Sequence, residues 1–320
     1  MARAGLNRLS PRATWIVVLA ANAPDVDVVS ALASAHTYLR WHRDFTHSLL
    51  MSPVIALLPV FAVRAFKRGA GLWRAEWIAA WVGVLSHVLL DYLNIYGIRI
   101  LWPFSRNWYR LDLVPVIDPW FWAALALALA APALSRLVGS EIGEQRRGKT
   151  RYGFGAAVAA LVFLTVYTGA RAVWHARAIA ELNSRTYEGA APRQVAALPN
   201  VFWPLSWRGL IVQPDEYGLV PVDLLQEFNP LATDYLQRNP PTPATEAASR
   251  SAPFQGFLQF VQYPYWTETP APEPEGAAVV KLYDLRFGNP RAPGFVATAV
   301  VGPGGDVLSS RFTFGEARPR

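Results

Sequence analysis

The sequence predicts an α-helical membrane domain, about four full spans plus a broken N-terminal helix, followed by a small β-rich extramembrane domain. Three observations carry that prediction. Apolar residues make up 52% of the 320 positions, and they crowd into the first half as runs of bilayer length. Basic residues flank those runs. Beyond about His175 the composition turns to Pro, Gly and polar residues, with short alternating stretches of strand length. The chain therefore divides into residues 1–175, the membrane domain, and residues 176–320, the extramembrane domain.

The start, Met1 to Ala23, resembles a signal peptide, with Arg3, Arg8 and Arg12 ahead of an apolar run. Asp25 and Asp27 follow where a mature chain would begin, so the segment is read as retained. Ala13–Ala23 is about half the length needed to cross a bilayer. Pro24 interrupts it, which fits a broken or re-entrant helix. Ser48–Phe66, Glu76–Leu93, Val116–Val138 and Phe154–Val173 are the expected spans. Trp73, Trp77, Trp102, Trp108, Trp120 and Trp122 sit near their ends, as an aromatic belt would.

The loops suggest an orientation. Arg64, Lys67, Arg68 and Arg74 separate the first two spans. Arg136, Arg146, Arg147, Lys149 and Arg151 separate the last two. Both loops are expected on the cytoplasmic side, and the C-terminal part on the outer side. Arg99, Arg106 and Arg110 in the intervening loop weaken the contrast.

In the second half, Gly209–Val212 and Val279–Phe287 read as strands. Gly294–Val301 and Asp306–Phe314, joined across Gly302-Pro303-Gly304-Gly305, read as a hairpin. Residues 240–253 and 267–276 are expected to be long loops.

Ionisable residues inside apolar sequence point to function, because they are costly at membrane depth unless paired or liganded. His87 and Asp91 are four apart and share one helix face. They read as two metal ligands, or else as a buried structural pair. His42 and His47 bracket Arg43-Asp44-Phe45-Thr46 just before an apolar run. Either His is a candidate ligand or catalytic group, Asp44 or Thr46 a candidate cap, and Arg43 a candidate holder of an oxyanion. Asp25 and Asp27 alternate around Val26; they read as ligand and general base, or as a solvated turn. Asp118 before Pro119 is explained almost fully as a helix N-cap. His36 and His175 are isolated. With no Cys in the chain, disulfides and thiolate sites are excluded. His plus carboxylate suits a divalent ion, zinc first, with manganese and iron compatible. The net charge of +7 reflects basic membrane flanks, and no nucleic-acid motif accompanies it.

Pro24-Asp25-Val26-Asp27, His42-Arg43-Asp44-Phe45-Thr46-His47-Ser48, Ser86-His87-Val88-Leu89-Leu90-Asp91 and Leu101-Trp102-Pro103-Phe104-Ser105, in that order, resemble the YdjM-like family of inner-membrane proteins. That family is described as metal-dependent hydrolases. The resemblance covers roughly residues 14–135. It implies a multi-helix domain in a prokaryotic cytoplasmic membrane and a metal site drawn from Asp25, Asp27, His42, His47, His87 and Asp91. Two departures stand out. Family members often carry a His after the second Asp, where this chain has Val28. Many also begin with an additional His-containing helix, so a shortened start or a smaller ligand set is expected.

The leading expectation is a membrane-embedded hydrolase acting on a lipid-like ester or phosphoester, with the bilayer as its partner. Asp25, His42, His47, His87 and Asp91 are the expected metal ligands, Asp27 the general base and Arg43 the anion holder. The competing expectation is a metal-binding or ion-translocating membrane protein without turnover. A third is a membrane anchor whose β-rich domain works through protein contacts.

Overall fold

The computed structural model describes residues 1–67, 71–141 and 153–315, with side chains of 136–141 left aside. Arg68, Arg146, Arg147, Lys149 and Arg151, and the side chain of Arg136, which carried part of the orientation argument, lie outside that description. The chain forms two compact units. One holds Met1–Val26, Arg43–Arg177 and Pro199–Trp207. The other holds Asp27–His42, Ala178–Leu198 and Arg208–Arg320.

The first unit is helical. α1 (Ala13–Ala20) stops short, and a 3-10 segment, Pro24–Leu32, begins after it. The proline expected to break the helix does so. α3 (Ser52–Ile55) and α4 (Leu57–Phe66) replace the single span expected over 48–66. Pro59 explains the break: it has no N–H to give the carbonyl of Ile55, and its ring would crowd that turn. α5 (Trp73–Leu93) is one continuous helix of 21 residues, about 30 Å long. α6 (Pro119–Glu141) and α7 (Phe154–Asn183) complete the set. α1 packs on α4 and α5. Gly83 permits this, since a Cβ there would stand 2.8 Å from the Ala20 Cβ. Ile16, Ala20, Val60, Ala80, Val84 and Val88 form the core.

Length and apolarity single out α7 as one clear membrane span among the described residues. Two bent pairs, Ala13–Ala20 with Pro24–Leu32 and Ala35–His47 with Ser52–Phe66, raise the number to at most three. Four full spans are thus more than these criteria support. α5 carries Arg74, Glu76, His87 and Asp91, and the strongly apolar part of α6 ends at Ser135.

Asp118 caps α6 as expected. Its Oδ1 accepts from the backbone N–H of Trp120 at 2.9 Å and Phe121 at 3.2 Å. Its Oδ2 accepts from the Tyr167 hydroxyl at 3.1 Å. Two arginines of the loop before it meet acids: Arg99 pairs with Asp44 at 3.3 Å, and Arg110 pairs with Asp112.

The second unit is β-rich. β1 (Gln194–Pro199), β2 (Ser206–Val212), β3 (Glu216–Asp223) and β4 (Asp234–Gln237) form one sheet in that order. A second sheet holds β5 (Pro264–Pro270) and β6 (Ala278–Asp284) beside β9 (Phe295–Val301) and β10 (Val307–Phe314), in the order β10-β9-β6-β5. A short ladder pairs β7 (Gly288–Asn289) with β8 (Ala292–Pro293). The hairpin expected at 294–314 is β9 and β10, antiparallel with Phe314 opposite Phe295. The expected loops are partly ordered elements. α8 (Pro243–Ser249) lies within 240–253, started by a capping box at Thr242 and Thr245 with Pro at the first position. Thr267–Pro270 extends β5 along β6. α9 (Ala252–Leu258) follows α8 and packs against α2 (Ala35–Trp41), a helix that hydropathy did not suggest and that Ser34 caps through Thr37 N–H. Gly256 allows that approach, since a Cβ there would come within 3.0 Å of the His36 carbonyl.

Candidate metal centre

Four side chains of the helical unit, Asp25, His47, His87 and Asp91, converge on one point. Each offers one donor atom, and these atoms all lie within 4.8 Å of one another. The break at Pro24 brings in Asp25. A short 3-10 turn, Phe45–His47, brings in His47. One face of α5 supplies His87 and Asp91, as their spacing of four anticipated.

The separations are informative. His47 Nε2 and His87 Nε2 are 3.3 Å apart. Asp91 Oδ2 stands 3.2 Å from the first and 3.3 Å from the second. Asp25 Oδ1 is 3.5 Å from both. Bonds of 2.0–2.1 Å in a tetrahedron give donor–donor edges of about 3.3–3.4 Å. Five of the six edges here fall close to that length.

The surroundings aim these donors inward. His87 Nδ1 lies 2.7 Å from the Ala21 carbonyl, a group that the end of α1 leaves without a helical partner. Since Nδ1 can only donate to a carbonyl, Nε2 of a neutral ring presents its lone pair to the cluster. His47 Nδ1 meets the Thr46 hydroxyl at 2.9 Å. The outer oxygen of Asp91 is held by Arg43 Nη2 at 2.8 Å and Asn94 Nδ2 at 3.2 Å. Its inner oxygen, Oδ2, is buried and accepts no hydrogen bond of acceptable geometry among the described residues. A buried carboxylate oxygen facing two imidazole nitrogens, without such a bond, is what a cation would satisfy. His47 and Asp91 are buried, while the Asp25 side chain remains 46% exposed. The group therefore has one open side.

The other predicted site residues fall as follows. Arg43, expected to hold an anion, turns back through a left-handed backbone (φ 60°). Besides Asp91, it donates to Asn94 Oδ1 at 3.3 Å and lies over the Tyr96 ring at 4.2 Å. These contacts position Asp91. Asp27 and His42 belong to the β-rich unit, where Asp27 Oδ1 and His42 Nδ1 meet at 2.7 Å. The His42 ring stacks on Tyr38 at 4.3 Å. Neither Asp44 nor Thr46 caps a helix through its side chain: Asp44 makes no such bond, and the Thr46 hydroxyl turns to His47.

Sequence reasoning missed a second buried charge cluster at the other end of α5. Glu76 accepts from Ser10 Oγ at 2.5 Å, Arg12 Nε at 2.9 Å and Arg64 Nε at 2.7 Å. Arg12 and Arg64 read as basic flanks in one dimension. The available signal was a lone Glu opening an apolar run, with two arginines to balance it.

Comparisons with known proteins agree with the membrane reading. A family model described as YdjM inner membrane protein matches residues 1–178. YfhP of Bacillus subtilis (strain 168), described as an uncharacterized protein, is 36% identical over 124 residues, which is 37% of this chain and 36% of YfhP. The inner membrane protein YbcI of Escherichia coli (strain K12) is 39% identical over 119 residues, 35% of this chain and 68% of YbcI. The chain thus spans about a third of the length of YfhP and about two thirds of that of YbcI. No solved structure matches.

Proposed function

Because the chain belongs to the YdjM inner membrane protein family, we propose that it is a membrane-embedded, metal-dependent hydrolase whose ion is held by Asp25, His47, His87 and Asp91. The observation that carries this reading is the near-tetrahedral spacing of four donor atoms, one of them the buried Asp91 Oδ2, which accepts no hydrogen bond of acceptable geometry among the described residues. Two imidazoles and two carboxylates suit zinc best, with manganese and iron compatible. Bound there, the ion supplies Lewis acidity, acidifying water and polarising an ester or phosphoester oxygen.

The chain's own residues do the rest. The Ala21 carbonyl and the Thr46 hydroxyl fix the two imidazoles. Arg43 and Asn94 fix Asp91. Asp25, open to solvent on one side, would take the proton that the attacking water loses and pass it to the leaving oxygen. Asp27, expected as the base, instead orients His42 through its short contact. The site's place beside apolar helices favours a lipid-like substrate. The same proposal includes a multi-pass topology of four crossings in a prokaryotic cytoplasmic membrane, with α7 delivering the C-terminal part to the outer side.

Elemental analysis of purified protein tests the centre. Wild type should carry about one zinc-class ion per chain, and His87→Ala should carry none. Equal content in both would sink the assignment. Hydrolysis of p-nitrophenyl ester and phosphoester probes, abolished by chelation, tests the activity. One observation favours a second reading: four protein ligands form the closed set usual in structural sites. Metal-loaded wild type without turnover on either probe class would favour that non-enzymatic role.

A further inference from the structure

The segment Pro199–Trp207 links β1 to β2, yet it packs with the helical unit. Its neck is closed. Asn200 N–H donates to the Ser206 carbonyl at 3.2 Å, and Asn200 Nδ2 to Ser206 Oγ at 2.6 Å. Ser206 N–H donates to the Trp203 carbonyl at 3.1 Å. A closed neck presents the tip, Val201-Phe202-Trp203, as a shaped wedge. Phe202 is 78% exposed and Trp203 48%. Residues 200–207 include no ionisable side chain.

Two side chains hold the loop. Trp120, at the start of α6, donates its indole N–H to the Phe202 carbonyl at 3.1 Å. Arg171 of α7 donates to the Pro204 carbonyl and, at 2.7 Å, to that of Leu113. Its guanidinium lies over the Trp207 ring at 4.1 Å. An arginine in an apolar span is costly unless its donors are met, and this loop meets one of them. Arg171 is 17 residues beyond Phe154, so it stands about 26 Å along α7, near the far edge of a hydrocarbon core of about 30 Å.

We infer that Val201–Trp203 is a membrane wedge, inserted in the lipid interface beside the start of α6. The lipid surface is the occupant because the tip is tied to a membrane span, carries no charge, and lies beside the part-exposed ring of Trp120 that holds it. The inference rests on the membrane location and is independent of the metal centre.

The chain has no cysteine, so single-site spin labelling needs no background removal. Full-length Phe202→Cys and, separately, Trp203→Cys would be labelled in vesicles of phosphatidylethanolamine and phosphatidylglycerol. Val166→Cys on exposed α7 serves as a lipid reference and Glu275→Cys in the β-rich unit as a comparison. The expected result is collision with oxygen several-fold above collision with a water-soluble nickel chelate at 202 or 203, as at 166. Free collision with nickel at both positions overturns the inference. Shielding from both reagents, the mark of a protein partner, overturns it as well.

Discussion

α5 carries a buried charge cluster at each end, and the two are built on opposite principles. At its start, Glu76 is fully buried (0% exposed), yet every bond its carboxylate needs comes from the protein: one hydroxyl and two guanidinium groups. Arg12 and Arg64 also tie that end to the chain by donating to the Lys67 and Gly71 carbonyls. Near its end, the donors are two imidazoles and two carboxylates that present lone pairs to one another. The protein neutralises the outer oxygen of Asp91, and among the described residues the inner one faces only imidazole nitrogens, without a hydrogen bond of acceptable geometry. A buried charge that is fully paired holds the fold together. A buried charge that faces other donors is arranged as a cation site would be.

This contrast can be broken by experiment. The largest effect is expected at the proposed ligands. His87→Ala and Asp91→Ala should reduce bound metal to the level of a chelated control, with helicity by circular dichroism retained; undiminished metal would erase the distinction between the two ends. Next comes Glu76→Ala, which strands Arg12 and Arg64. Breaking a buried pair costs about 3–5 kcal/mol, read as a lower denaturation midpoint in detergent, while metal content per folded chain stays that of wild type. If stability is unchanged, the paired cluster is not what holds that end. Arg43→Met should be milder. Removing a group that orients a ligand weakens metal affinity about 10- to 100-fold, measured by chelator competition. A shift smaller than threefold would make Arg43 a bystander. The smallest effect is expected at Gly71, where a Cβ would overlap Glu76 Oε1 and crowd Ser10 Oγ. Gly71→Ala should cost about 1–3 kcal/mol in the same unfolding assay, with no change in metal.

Much of this was legible beforehand, where the signal is local. Asp118-Pro119 reads as a helix start because a cap and a proline act on the next turn alone, and it is one. The hairpin at 295–314 follows from alternation around a Gly-Pro-Gly-Gly turn. His87 and Asp91 face the same way because four residues make one helical turn. Other features were invisible for an equally physical reason. Arg12 and Arg64 count as positive flanks until Glu76 lies between them. Arg43 reads as an anion binder until its fork is found on Asp91 and Asn94. Ser48–Phe66 is apolar apart from Ser48, Ser52 and Arg64, and hydropathy does not register the interruption between α3 and α4.

From composition and spacing alone came the membrane character, the helical-then-β order, and a donor set of imidazoles and carboxylates with no thiol. These depend on residue type and on neighbours within a turn, and both are written along the chain. Which donors share a point was decided by packing. Residues 25 and 87 come together because α1 lies against α5 through Ala20 and Gly83 and because Pro24 ends the first helix, and the turn Phe45–His47 adds residue 47. Close packing of small residues sets those distances to a few tenths of an ångström, a tolerance that no one-dimensional pattern can specify.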